Sequence, residues 1–189
     1  MNYPDYRARR MRRTEALRRM IRETRLTVDD LVYPLFVVPG SGIEKPIGSM
    51  PGQSHLSVDK AVDMAGRAAD LGIPAVILFG IPERKDAVGS EAWSPQGVIQ
   101  KAIRAIKKRC PDMVVMVDAC FCEYTDHGHC GVLREGELDN DASLENLART
   151  VVSYARAAAS VALSTDRLDC PGIDEIGLST PVPGTQNSG

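Results

Sequence analysis

Four short apolar runs constrain what this chain can fold into more than any other feature. They are "LVYPLFVVPG" (31–40), "PAVILFG" (74–80), "MVVMVDAC" (113–120) and "SVALS" (160–164). A strand with one wet face alternates apolar and polar residues, and these runs do not, so each needs cover on both faces. The segments between them are amphipathic and helical in period. "VDKAVDMAGRAADLG" (58–72) follows Ser57, a good N-cap. In "VIQKAIRAIKKRC" (98–110), Val98, Ile99, Ala102, Ile103 and Ile106 recur at helical spacing. "DASLENLARTVVSYARAAA" (141–159) has Asp141 or Ser143 as its candidate cap. "GSMPGQSHLSVDK" (48–60) reads as a turn-rich loop.

Strands and amphipathic helices in strict alternation predict an α/β fold with a parallel sheet and right-handed crossovers. No G-x-G-x-x-G follows the first strand and no G-x-x-x-x-G-K-[ST] occurs, so neither nucleotide fingerprint supports a doubly wound sheet. The long polar loops follow strands two and three, on the face where barrel enzymes keep their sites. The expected fold is therefore the first half of a (β/α)8 TIM barrel preceded by an N-terminal arm. A whole barrel takes roughly 250 residues, and this chain has 189. The organisation expected is an arm over 1–28, about four βα units over 29–164, and a divergent, disordered tail over 165–189. Four parallel strands would leave two open edges and an inward face turned to water.

Charge marks the arm. Residues 1–26 hold nine arginines against Asp5, Glu15 and Glu23, a balance of +6 in a chain whose net charge is −2. Such a segment suits nucleic acid or an acidic neighbouring subunit equally well, although it lacks lysine and interleaved stacking aromatics. The longest apolar run, "IPAVILFGI" (73–81), is far too short to span a bilayer, and the N-terminus has no apolar signal region. These features predict a soluble cytoplasmic protein that does not enter a membrane.

The stretch "VDACFCEYTDHGHCGVL" (117–133) gathers three of the five cysteines and two of the three histidines. With no export signal, a disulfide framework is not expected. Cys120 and Cys122 are two apart at the end of a predicted strand, which turns both thiols to one side. Cys130 returns after a loop eased by Gly128 and Gly131. Three thiolates suit Zn2+ and leave a fourth position open, the pattern of a catalytic ion. His127 and His129 are rival ligands, and binding by either would close the site at four. The plainer alternative is a set of reduced loop cysteines without an ion. Cys110 and Cys170 lack such company. Asp118 lies inside an apolar strand, where a carboxylate is costly unless paired or working. It is a candidate for moving a proton or orienting water, or else a structural aspartate.

At these residues the sequence resembles the porphobilinogen synthase (5-aminolevulinate dehydratase) family. The resemblance rests on "DACFCEYTDHGHCGVL" (118–133), "YPLFVVPG" (33–40), "SMPG" (49–52), "LGIPAVILFG" (71–80), "KDAVGSEAW" (85–93) and the arginine-rich opening (7–26), and it runs to about residue 160. It implies a (β/α)8 barrel whose arm wraps a neighbour in a homo-octamer, which removes the need for a nucleic-acid partner. It implies condensation of two 5-aminolevulinate molecules to porphobilinogen in tetrapyrrole and heme biosynthesis. Cys120, Cys122 and Cys130 match the family's zinc-holding cysteines, and Mg2+ enters as an allosteric ion of the full-length family.

The departures are as informative. Two lysines from the second half of the family's barrel form Schiff bases with substrate, and their motifs do not occur here. Lys45, Lys60, Lys85, Lys101, Lys107 and Lys108 all lie outside any such motif. Over 160–170, Ser164, Asp166 and Asp169 only echo the family's next strand-end motif, as expected of a truncated or frame-shifted product. The alternatives carried forward are an inactive zinc-binding or oligomerisation fragment and a zinc hydrolase.

Overall fold

A computed structural model describes residues 9–163. The sheet has six strands in the order β2-β3-β1-β4-β5-β8: β1 (Val32–Val38), β2 (Glu44–Pro46), β3 (Ser54–Ser57), β4 (Ala75–Gly80), β5 (Val114–Asp118) and β8 (Val161–Leu163). A separate hairpin pairs β6 (Val132–Arg134) with β7 (Glu137–Asp139). The helices are α1 (Glu15–Met20), α2 (Val58–Asp70), α3 (Val98–Arg109) and α4 (Asn140–Arg156). Strands β1, β4, β5 and β8 are parallel neighbours, as the four apolar runs required, and together they are part of a barrel wall.

The helices cover one face. Leu35, Val37, Val76, Leu78, Val115 and Val117 point into the core, where α2 brings Ala61, Ala65 and Ala68 and α3 brings Ile99, Ala102, Ile103 and Ile106. Small alanines on α2 let that helix lie close to the sheet, and branched side chains on α3 fill the remaining depth. The alternate residues form the inward face of the wall. Pro34, Ile77, Met116 and Val161 lie in one register row and are half-buried. One row nearer the strand ends, Phe36 stacks on Phe79 with ring centroids 5.1 Å apart.

Three local expectations are corrected. The loop expected over 48–60 contains β3, which pairs in parallel with β1 and antiparallel with β2. One expected open edge of the four-strand set is thus occupied, because unpaired backbone groups there find partners in the nearest extended segment. Ser57 stands at the N-cap of α2, but its hydroxyl accepts from Ile43 N–H (2.8 Å) and lies 2.6 Å from Asp59 Oδ1, so it caps nothing. The cap of α4 is Asp139, which accepts from Ala142 N–H at 3.1 Å. Ser143 instead turns inward, donating to the Asp139 carbonyl and accepting from Val132 N–H, while Asp141 stays exposed.

Over the stretch expected to be an arm, residues 9–28 hold a 3-10 turn (Arg10–Arg12) and the short α1, with no buried residue in either. No helix among the described residues is long and apolar enough to cross a membrane. The expectations placed on residues 164–189, including Cys170, Ser164, Asp166 and Asp169, lie outside the described residues, as do residues 1–8.

Candidate metal centre

Strand β5 ends at Asp118, where Asp118 registers with Leu163 of β8. The chain then leaves the sheet, so Cys120 and Cys122 are not on a strand as the sequence suggested. A turn brings them together: the Phe121 carbonyl accepts from Tyr124 N–H (2.8 Å) and Thr125 N–H (2.9 Å). Phe121, Tyr124 and Thr125 are 1%, 2% and 1% exposed, so the turn is nailed to the core by these three side chains. The Thr125 hydroxyl, 2.7 Å from the His129 carbonyl, ties the outgoing arm of the loop to the returning one.

The three sulfurs converge at this turn. Cys120 Sγ lies 3.0 Å from Cys122 Sγ and 3.2 Å from Cys130 Sγ. All three sit within 4.8 Å of one another, and they are the only such group of three His, Cys, Asp or Glu donors among the described residues. A tetrahedral Zn2+ with Zn–S near 2.3 Å holds its sulfurs about 3.8 Å apart. Each close pair therefore needs to open by less than ~1 Å, and the donor set fits a thiophilic ion. Cys120 is buried while Cys122 and Cys130 are partly exposed, which leaves the approach on their side.

Neither histidine joins the sulfurs. His127 Nε2 is 3.2 Å from the Ala87 carbonyl and its Nδ1 accepts from His129 N–H at 3.1 Å. Both ring nitrogens are thus engaged, in the tautomer with hydrogen on Nε2. His127 stitches the cysteine loop to the loop that follows β4. That second loop, "KDAVGSEAW", reads alone as any solvated turn, and the structure places it against the segment that links Cys122 to Cys130. Asp86 N–H donates to the Tyr124 carbonyl (3.3 Å), and Asp126 N–H donates back to the Asp86 carbonyl (3.1 Å).

Asp118 is 9% exposed and shares the mouth with Glu123. Burial pushes the Glu123 carboxyl up to about 7, and the Asp118 charge pushes the same way. Lys85 and a hydrogen bond from the Gly80 backbone pull it back. Sequence reasoning passed over Glu123, because its nearness to Asp118 comes from the turn and not from spacing. It also passed over the phenol pair beneath the loop: Tyr124 Oη lies 3.5 Å from Tyr154 Oη of α4. A legible signal was the small residue Gly80 at the end of β4, since a Cβ there would overlap the Tyr124 hydroxyl and lie 2.5 Å from Ile99 Cγ1.

Known proteins resemble this chain along most of its length. The family model described as delta-aminolevulinic acid dehydratase matches residues 5–174. The delta-aminolevulinic acid dehydratase of Synechocystis sp. is 55% identical over 171 residues, 88% of this chain and 52% of the relative. That of Halalkalibacterium halodurans is 47% identical over 183 residues, 94% of this chain and 56% of the relative. Among solved structures, delta-aminolevulinic acid dehydratase (porphobilinogen synthase) from Toxoplasma gondii, in complex with the reaction product porphobilinogen, superposes with a TM-score of 0.82. It is 34% identical, over 87% of this chain and 47% of that one. The chain thus spans about half the length of these relatives. With the family's pattern running through arm, barrel wall and cysteine loop alike, the chain belongs to the delta-aminolevulinic acid dehydratase family.

Proposed function

We propose that this chain carries the metal-holding part of a porphobilinogen synthase site, in which Cys120, Cys122 and Cys130 bind Zn2+. The observation that carries the reading is the convergence of three thiols beside Asp118, at the carboxyl end of a barrel strand. Ligands in that position face the mouth where barrel enzymes do their chemistry. A bound Zn2+ would supply Lewis acidity toward a carbonyl or hydroxyl of the substrate. The substrate is 5-aminolevulinate and the reaction the condensation of two molecules to porphobilinogen.

The chain's own residues do the rest of what this half contributes. Asp118, held in a mostly apolar wall, accepts or returns a proton at its carboxylate. The turn through Phe121 and Thr125 fixes the ligands, and the stacked Phe36 and Phe79 present an apolar, half-buried inward surface beneath the mouth. The amine nucleophiles of the family reaction have no counterpart motif in these 189 residues, so covalent capture of a ketone is not assigned to any lysine here. The protein works in the reducing cytoplasm, where thiol ligands persist. Its arginine-rich arm, with no buried residue in its described elements, joins subunits of a homo-oligomer, as an octamer. A hydrolase reading finds less support, because an all-thiolate set is uncommon for water-activating zinc.

The test is metal stoichiometry paired with product formation. The purified chain is expected to hold one Zn2+ and Cys120→Ala none. Absence of bound Zn2+ in the parent protein refutes the ligand assignment. Porphobilinogen formed from 5-aminolevulinate by the isolated chain would refute the view that lysines beyond these motifs are required.

A further inference from the structure

We infer that Asp86, on the loop after β4, is a positioning residue that presents Cys130 to the other two thiols. The inference rests on the ligand assignment just proposed. Cys130 is eight residues from Cys122, and closing such a loop costs entropy that the ion would otherwise have to overcome. A bracing element that closes the loop beforehand raises metal affinity without touching the metal.

Asp86 builds that brace. Its Oδ1 accepts from Val88 N–H and Ser90 N–H, each at 3.0 Å, and its Oδ2 accepts from the Ser90 hydroxyl. These bonds wrap residues 86–90 into a tight turn around one carboxylate, completed by Gly89 in the left-handed conformation at φ +68°. The turn then offers a short backbone edge to the cysteine loop. Asp86 forms a parallel bridge with Thr125, exchanges hydrogen bonds with Tyr124 and Asp126, and its neighbour Ala87 receives the His127 ring. Contact continues underneath, since a Cβ on Gly89 would stand 3.2 Å from both Phe121 and Tyr124. Thr125 and His127 are the middle of the segment between Cys122 and Cys130, so an edge that holds them holds the return of Cys130. The bland account of Asp86, an exposed residue satisfying its own turn, leaves this second set of bonds without a role.

The experiment titrates the metal-free, reduced full chain with Co2+, reading the thiolate-to-cobalt charge-transfer band and the affinity by chelator competition. Asp86→Ala is expected to weaken Co2+ binding about 10- to 100-fold, the usual effect of losing a partner behind the ligands, and to lower the band. Asp86→Asn keeps the Oδ1 acceptor and should recover part of the loss. The control is Asp59→Ala at the start of α2, which removes a comparable cluster of bonds to Ser57 at the end of β3 and to Gly42 in the loop after β1. It should leave affinity and band unchanged. If Asp86→Ala fails to fold, Ser90→Ala removes one donor of the brace and should show a smaller loss of the same kind. Wild-type affinity and spectrum in a folded Asp86 or Ser90 variant overturns the inference, as does an equal loss in Asp59→Ala. A wild-type chain with no thiolate band overturns the ligand assignment itself and the inference with it.

Discussion

Gly80→Ala is the sharpest probe of how the cysteine loop is seated. The added methyl would overlap the Tyr124 hydroxyl, and it would come within 2.5 Å of Ile99 Cγ1 and 3.1 Å of Tyr124 Cζ. Neither neighbour has room to retreat: Ile99 is 1% exposed, and Tyr154, 0% exposed, stands directly behind the Tyr124 hydroxyl. Overpacking of this kind costs about 1–3 kcal/mol, and two immobile neighbours place it near ~3. Losing a strand glycine returns about 0.5–1 kcal/mol of backbone entropy, so a net loss of about 2 kcal/mol is expected. Tyr124→Phe in the same background removes the overlapped oxygen but leaves the Ile99 contact, and should recover about half of the loss. Urea denaturation followed by the single tryptophan, Trp93, and by circular dichroism measures both. A Gly80→Ala variant within about 0.5 kcal/mol of the parent, or a double variant no more stable than Gly80→Ala, would refute the packing argument. Because Tyr124 lies between Cys122 and Cys130, the single variant should also bind Zn2+ more weakly.

The remaining expectations follow from the same contacts. Zn2+ at a hundredfold excess over its Kd should add about 2.7 kcal/mol of stability, and Cys120→Ala should abolish that increment in thermal unfolding. The Ser57 hydroxyl, joined by the Gly42 backbone, holds Asp59 below its ordinary carboxylate value of 3.8. Partial burial works to raise Asp86, but the Ser90 hydroxyl and the N–H groups of Ser90, Val88 and Gly89 outweigh it and leave it low. A depressed folded pKa gives stability present above 3.8 and lost as pH falls through the folded value. Asp59→Asn and Asp86→Asn should therefore each shallow the acid-unfolding curve, and an unchanged curve would contradict the assignment. Deleting residues 1–28 should lower the oligomeric order seen by sedimentation without unfolding the barrel wall, since Met20 and Leu26 are 79% and 77% exposed on an arm that buries nothing of its own.

The elements long enough to carry a period were legible from the residues. Val32–Val38, Ala75–Gly80 and Val114–Asp118 fall inside the apolar runs that announced them, and α3 buries the five residues its spacing picked out together with Gln100. Short elements were not legible. Strands β2 and β3 have three and four residues in a stretch rich in Gly, Pro and Ser, where local preference points to turns and only the pairing of β3 with β1, and of β2 with β3, makes strands. The cap of α4 went to Asp139 because Ser143 was drawn inward by the hairpin carbonyl and the Val132 N–H, a competition no local window contains.

The candidate site divides along the same line. The sequence alone picked out the candidate donors, three cysteines in one glycine-bearing loop after an apolar strand, whose sulfurs the fold brings together. It also determined the parallel wall that carries them, because buried strands joined by amphipathic helices have few other ways to cover both faces. Tertiary structure decided what holds the donors together. The turn at Phe121, the His127 stitch, the Asp86 brace and the fit of Tyr124 over Gly80 join residues up to 44 positions apart in the chain. Those contacts depend on two strands lying side by side, so that the loops at their ends meet. Adjacency of that kind is a property of the sheet, and no spacing along the chain encodes it.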